Sequence, residues 1–375
     1  MNELETEVRR VNGNSLLSEE ERLAKAGPLQ EKLTQLAQKR HRKKCLDVAT
    51  RNKLEGETIS KYWSQINKDK KPRDVIFALK KPEPRREHEP EYEIDSKKMS
   101  NLARNYHENL QEAEPVINPL LRAEKTKALL DQIERKATDQ QKEELKNELT
   151  ENDVENALKK SQSGSAAGID GATYDLWKTL NERFKEDERA EQPAFNVVKL
   201  LTAVFNDIER YGVDKDTGFA DGWMCPIYKK NDRDEISNYR PITLLNTDYK
   251  LLTKALSVKL AMAAPTMIHE NQAGFIPGRN IKDQTKLTRM MMEYAEATEH
   301  NEMIVALDQE KAYDKIAHDY LWRTLEAFEI PNNFTQTVRS LYEHATTKVM
   351  INGHLSKSFD VRRGSHWQKH SANRT

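Results

Sequence analysis

Three groups of residues have types and spacings suited to chemistry on phosphates. The first is Val305-Ala306-Leu307-Asp308-Gln309-Glu310-Lys311-Ala312-Tyr313-Asp314. A short apolar run from Met303 to Leu307 ends in a carboxylate. As a buried strand it would fix Asp308 at an open strand end, where a hard cation such as Mg2+ and a phosphate can both reach it. Tyr313 follows five residues on, where an aromatic ring can meet a nucleotide sugar. The plainer alternative is a strand-to-helix turn in which Asp308 caps the helix. The second group is cationic: Lys229-Lys230 before an Asn231-Asp232 turn, and Arg240 beside Pro241. A guanidinium matches phosphate with two parallel hydrogen bonds, and an ammonium adds a point charge. A solvated turn lysine reads Lys229 equally well. The third group is Lys39-Arg40-His41-Arg42-Lys43-Lys44. It is either a solvated helix face or a surface on which Arg40, Arg42 and Lys43 track phosphates.

The elements that must position these groups are short strands and amphipathic helices. Trp223 to Tyr228 reads as a strand, with Pro226 confining it to an edge or a strand end. Lys348 to Ile351, Asn352-Gly353 and His354 to Ser356 read as a hairpin, because Asn-Gly accepts the positive φ of a tight turn. Thr150 and Asp153 resemble a capping box ahead of a Val154, Ala157, Leu158 stripe. A helix over 194–211 presents Val197, Leu201, Val204, Phe205 and Ile208, and Gly212 stops it. Tyr249, Leu252, Leu256 and Leu260 mark a helix ending before Pro265, and another helix is expected over 310–328. Two polar helices are expected near 96–111 and 119–148. Further upstream, Leu29, Leu33 and Leu36 mark one helix face, and Gly27-Pro28 reads as a break before it. Val75 to Leu79 is an apolar patch able to dock on a neighbouring surface.

Composition bounds the function classes. Lysine plus arginine and aspartate plus glutamate both number 61 in 375 residues, so any contact with nucleic acid must come from local basic clusters. Cys45 and Cys225 stand alone, which excludes a disulfide framework or a zinc set and suits a reducing compartment. No apolar stretch is long enough to span a bilayer, and the N-terminus has no secretory pattern. The expectation is an intracellular protein, nuclear or cytoplasmic, that is not secreted and touches no membrane.

Taken together, Lys229-Lys230, then Asn238-Tyr239-Arg240-Pro241-Ile242-Thr243-Leu244-Leu245, then Asn271-Gln272-Ala273-Gly274-Phe275-Ile276-Pro277-Gly278-Arg279, then Leu307 to Asp314, strongly resemble the reverse transcriptases of non-LTR, LINE-like retrotransposons. The resemblance runs from about residue 150 to Gly364. It implies an α+β fold: a partial fingers and palm of a right-hand polymerase, preceded by a mostly helical N-terminal extension. It implies RNA-templated addition of deoxynucleotides to a DNA primer, with Mg2+ as cofactor. By resemblance, Asp308 is the catalytic and metal-binding carboxylate, and the Gln309 carbonyl is a second metal ligand. Tyr313 is the gate against a 2′-hydroxyl, and Lys229, Lys230 and Arg240 hold the incoming triphosphate. The Gln272 to Arg279 segment, with Arg279 as a nucleic-acid contact, lies near the template or the base of the fingers, a plain structural loop being the alternative, while Asp314 and His318 read as helix-start and packing residues. The expected organisation is a charged helical extension (1–67), a Pro- and charge-rich linker (68–95), a helical connector (96–149), the partial polymerase domain (150–364) and a tail unlike the family (365–375).

Two departures qualify the resemblance. The family's Pro-Gly-Pro-Asp-Gly loop reads Ala167-Gly168-Ile169-Asp170-Gly171, without its prolines. After Arg362-Arg363-Gly364 the family pattern gives way to Ser365-His366-Trp367, so the expectation is a polymerase domain that stops within the palm and is inactive. The competing reading is a non-catalytic RNA-binding or scaffold fragment of a degenerate mobile element. Oligomeric state is not readable from the sequence.

Overall fold

A computed structural model describes residues 75–82, 90–112, 118–298 and 303–364, with scattered positions before residue 37. The chain divides into two compact units between Arg73 and Asp74. In the first, residues 25–29 are helical, so Gly27-Pro28 does not break the chain there. A proline excludes helix only where its missing N–H is needed or its ring clashes with the turn before it. The basic run 39–44 lies outside the described residues.

The second unit begins with two short antiparallel strands, β1 (Leu79–Lys80) and β2 (Tyr92–Glu93), and then α1 (Ser96–Asn109). Asp95 starts α1 by accepting from the Lys98 N–H at 2.8 Å. The expected 119–148 helix is two: α2 (Pro119–Leu130) and α3 (Asp139–Lys146). A reciprocal capping box between Thr138 and Gln141 starts α3 afresh. The same device, with Asp153 in the third position, starts α4 (Glu151–Lys159) and places Val154, Ala157 and Leu158 in the core. Next come α5 (Tyr174–Arg189) and α6 (Val197–Tyr211), which ends at Gly212 with φ 82°. On α6, Val197, Leu201 and Phe205 are buried and Ile208 partly so, whereas Val204 is exposed. The expected connector helices share the main core: Ala137, Leu145 and Leu149 pack with Val154, Phe205, Leu252 and Leu341.

Strand β3 (Gly222–Tyr228), which the sequence marks, pairs antiparallel with β4 (Tyr239–Leu245). After α7 (Thr247–Met267), α8 (Ile281–Ala297), α9 (Ala312–Lys315), α10 (His318–Ala327) and α11 (Asn332–Glu343) come β5 (Thr346–Ile351), β6 (His354–Leu355) and β7 (Phe359–Asp360). The sheet order is β4-β3-β5-β6, with β7 also on β5. β3 is therefore interior, yet it pairs with parallel β5 only over Gly222–Met224. Pro226 faces Pro241 in the half flanked by β4 alone, which is how an interior strand tolerates it. Thr347, Val349 and Ile351 alternate inward along β5, and the latter two meet Met99 and Ala103 of α1. The Asn352-Gly353 turn is present, both residues at positive φ. The Asn352 side chain also holds both backbone groups of Ile76, at 3.1 and 2.7 Å, so the apolar patch docks as expected.

Three further expectations fail. Helix α7 runs through Pro265 to Met267. The 310–328 helix is broken at Ile316–Ala317, where Ala317 bridges Arg363. Residues 303–308 form no strand: they pair with no described strand and are exposed. An apolar run has the composition of a strand, but a strand also needs a partner for its N–H and C=O groups.

Candidate nucleotide and nucleic-acid site

The cations expected on the fingers lie at one end of the β3–β4 hairpin. Lys229 and Lys230 leave β3, and the Lys229 N–H donates to the Asn238 carbonyl at 3.1 Å, closing the loop. The loop is held from inside. Tyr228 Oη donates to the Asn231 carbonyl at 2.5 Å, Tyr239 Oη to the Arg233 carbonyl at 2.7 Å, and the Arg233 guanidinium lies 4.3 Å from the Tyr228 ring centre. Tyr239 turns into the core, so its neighbour Arg240, opposite Ile227, turns out to solvent by the strand's period of two. No salt bridge among the described residues holds Lys229, Lys230 or Arg240. Their charges are available to an anion.

A second cluster forms where α9 meets the segment after β7. Lys311 sits at φ 49°, which aims its ammonium at the Tyr106 hydroxyl and over the Tyr106 ring, 4.8 Å from its centre. The Gly364 N–H donates to the Ile316 carbonyl at 2.8 Å, and its carbonyl meets His318 Nε2 at 3.1 Å. Gln111 Oε1 accepts from the N–H groups of Arg362 and Arg363, at 2.6 and 3.2 Å. Gln111, Arg363 and Gly364 line a cavity of about 70 Å³, together with His107, Asp314 and Thr347 among others. Burial pushes the Asp314 carboxyl up, with Lys311 opposing. Burial, reinforced by Lys311, pushes His107 down to about 4, so its imidazole is neutral. Asp314 lines this cavity and His318 packs on Trp322 and Tyr342, which agrees with packing roles for both.

Asp308 and Gln309 are exposed and outside that lining, and Tyr313 is half exposed beside Asp314. Among the described residues no group of three His, Cys, Asp or Glu side chains is placed to hold a metal ion. The residues present therefore do not fit a Mg2+ pair, which needs several carboxylates.

Arg279 is engaged within the chain, as the structural-loop alternative has it. Its guanidinium donates to four backbone carbonyls, those of His269 (2.5 Å), Gln272 (2.9 Å), Pro265 (2.9 Å) and Ile268 (2.7 Å). It caps the C-terminal end of α7, where carbonyls lack intrahelical partners and a cation is favoured. Arg40, Arg42 and Lys43 lie outside the described residues.

The 163–171 loop, which lacks the family prolines, is held by side chains and by a close backbone approach. Lys178 Nζ donates to the Ser161 carbonyl and Lys254 Nζ to the Lys160 carbonyl, both at 2.6 Å. The Gly164 N–H donates to Asp175 at 2.9 Å. Gly168 lies against Asn246 so closely that a Cβ there would fall 2.5 Å from the Asn246 Cα. The residues that sequence reasoning missed are Tyr106, His107, Gln111 and Lys311. No local pattern marks them, because their partners lie about 200 positions or more away for Tyr106, Gln111 and Lys311.

Residues 227–365 match the family described as reverse transcriptase (RNA-dependent DNA polymerase). The chain is 29% identical over 274 residues to an uncharacterised 149 kDa protein of transposon TX1 from Xenopus laevis, covering 72% of this chain and 19% of that protein. It is 26% identical over 129 residues to a Pol polyprotein of the type-2 retrotransposable element R2DM from Drosophila melanogaster, covering 34% of this chain and 12% of the relative. It is likewise 26% identical over 141 residues to a Pol polyprotein of the type-1 element R2 from Popillia japonica, covering 37% and 19%. The chain thus spans less than a fifth of the length of each of these relatives. The family match includes the β3–β4 cations, Asp308, Tyr313 and Gly364 within one segment, and the relatives are transposon proteins: the chain carries a reverse transcriptase domain of the non-LTR retrotransposon kind.

Proposed function

We propose that this chain presents the fingers and the start of the palm of an RNA-templated DNA polymerase, and that by itself it binds RNA without extending a primer. The observation that carries this reading is the β3–β4 hairpin. Lys229, Lys230 and Arg240 are exposed, free of salt bridges among the described residues, and set on a hairpin whose loop is bonded internally. Such a surface suits phosphate, whether of a nucleotide or of an RNA backbone. In the complete reaction a primer 3′-hydroxyl attacks the α-phosphorus of a deoxynucleoside triphosphate, the bond to the β-phosphate breaks and pyrophosphate leaves, and Mg2+ would stabilise that transfer. Asp308, with the Gln309 carbonyl, is the residue assigned to the metal and Tyr313 is the sugar gate. One exposed carboxylate does not hold a metal pair, so no catalytic step is assigned to this chain alone.

Binding of a single-stranded RNA oligonucleotide across a salt series tests the reading. Each phosphate neutralised on a single strand contributes roughly −0.7 to the slope of log K against log salt. Substituting Lys229, Lys230 and Arg240 together by alanine should flatten that slope by about 2 while the fold is kept. An unchanged slope would remove the hairpin from the RNA surface and the reading with it.

A further inference from the structure

Lysines from three elements gather around one short stretch of chain, the turn from Lys160 to Ser163 that follows α4. Lys178 of α5 donates from Nζ to the Ser161 carbonyl at 2.6 Å and to Ser163 Oγ at 3.1 Å. Lys254 of α7 donates to the Lys160 carbonyl at 2.6 Å and to Ser161 Oγ at 3.4 Å. Lys160 is exposed, as are Gln162 and Ser163, so the turn is open to a ligand. A fourth lysine, Lys250, lies one turn earlier on α7, but it reaches the Ala166 carbonyl and its charge faces Asp170.

Capping alone does not account for this gathering. Carbonyls at a helix C-terminus favour a cation, and Lys178 and Lys254 supply two. Like charges brought together repel, however. Burial, and then the charges of Lys160 and Lys178, push the Lys254 ammonium down. The neighbouring carboxylates are engaged elsewhere. Glu155 is held by Lys159 and Lys185. Asp175 accepts from the Gly164 N–H at 2.9 Å and from Ser163, and only its more distant field reaches Lys178. No salt bridge among the described residues joins a carboxylate to Lys160, Lys178 or Lys254. An ammonium has three N–H donors, and Lys178 and Lys254 each spend two on the turn.

We propose that Lys160, Lys178 and Lys254 form a site for one phosphate group, supplied by an RNA backbone. Phosphate oxygens accept charge-assisted bonds from the remaining N–H donors, and the phosphate charge relieves the repulsion among the three lysines. The site lies on α4, α5 and α7, so it adds to the RNA surface a contact that the β3–β4 hairpin does not make. It rests on the RNA-binding reading for the source of the phosphate, but not on the hairpin. Free inorganic phosphate offers the same chemistry, and the test separates the two.

The test replaces all three lysines by glutamine, which keeps an N–H donor for the Lys160 and Ser161 carbonyls and removes the charge. Circular dichroism should be unchanged. In a salt series with a single-stranded RNA oligonucleotide, loss of one phosphate contact should flatten the slope of log K against log salt by about 0.7. The same flattening is expected in a chain already carrying Lys229→Ala, Lys230→Ala and Arg240→Ala. If those hairpin substitutions leave the slope unchanged while the glutamines flatten it, the hairpin reading falls and this site stands. In parallel, inorganic phosphate is titrated into the wild type while the NMR shift of the Lys254 side chain is followed. A saturable shift that is lost in Lys160→Gln/Lys178→Gln, with an unaltered RNA slope, would assign the site to free phosphate. An unaltered slope with no such shift would overturn the proposal. So would a flattening near 2, the sum of three separate phosphate contacts.

Discussion

Gly364 occupies a position that no side chain fits. Its φ is 87°, and an added Cβ would lie 2.9 Å from the Tyr313 carbonyl oxygen and 3.1 Å from the Asp314 Cα. Gly364→Ala should therefore cost about 1–3 kcal/mol, read as a lower urea midpoint at constant m. Arg279→Ala should destabilise by a similar amount, about 1.5–3 kcal/mol, because carbonyls at the end of α7 lose a charged donor. Arg279→Lys should restore little, since an ammonium cannot reproduce the planar fork. RNA affinity should be nearly unchanged in both Arg279 variants, and a large loss would return Arg279 to the template. His107 sets a pH dependence whose sign follows from burial. Its folded value, about 4, lies below the ordinary 6.5. The unfolded chain thus takes up the proton first, and stability is lost as pH falls from 6.5 towards 4, by roughly 3 kcal/mol in full. Glu209 acts in the opposite sense: burial raises it to about 7, so its cost is relieved over the same fall in pH. The difference between wild type and His107→Leu in urea melts across this range isolates the histidine. Identical curves would mean that His107 is not held neutral.

Helices and strands were legible in the sequence where their cause is local. Thr150 and Asp153 cap α4, Asn352-Gly353 turns the hairpin, and Gly212 stops α6, each through bonds within a few residues. The sequence misled where the cause is distant. Helix α7 runs two residues past Pro265, and a guanidinium fourteen residues on from Pro265 holds the carbonyls at its end. The Met303–Leu307 run has the composition of a buried strand, but no described residue completes its ladder. The connector could not be recognised as part of the polymerase-like unit, since α1 acts through Tyr106 and Gln111 on residues some 200 to 250 positions away. That last link can be tested at the scale of the element. Gln111→Leu removes the acceptor for the Arg362 and Arg363 N–H groups, and their hydrogen exchange should quicken while that of the β3–β4 ladder does not. Equal acceleration in both places would show general destabilisation and remove the specific clamp.

At the scale of the whole molecule, the cations sit on an ordered hairpin while the expected metal carboxylate lies on an exposed, unpaired segment. In the proposed reading binding and chemistry are separate: the hairpin cations are exposed and offered to phosphate, and among the described residues no carboxylate group is placed to hold a metal pair. The most direct measurement is primer extension by the purified chain on an RNA template with a DNA primer, deoxynucleoside triphosphates and Mg2+, beside Asp308→Ala. No incorporation above background is predicted for either protein, although RNA binding of the wild type remains measurable and falls steeply with salt. Extension by the wild type that disappears in Asp308→Ala would contradict the account, because it would mean that further carboxylates join Asp308 to complete a working metal site.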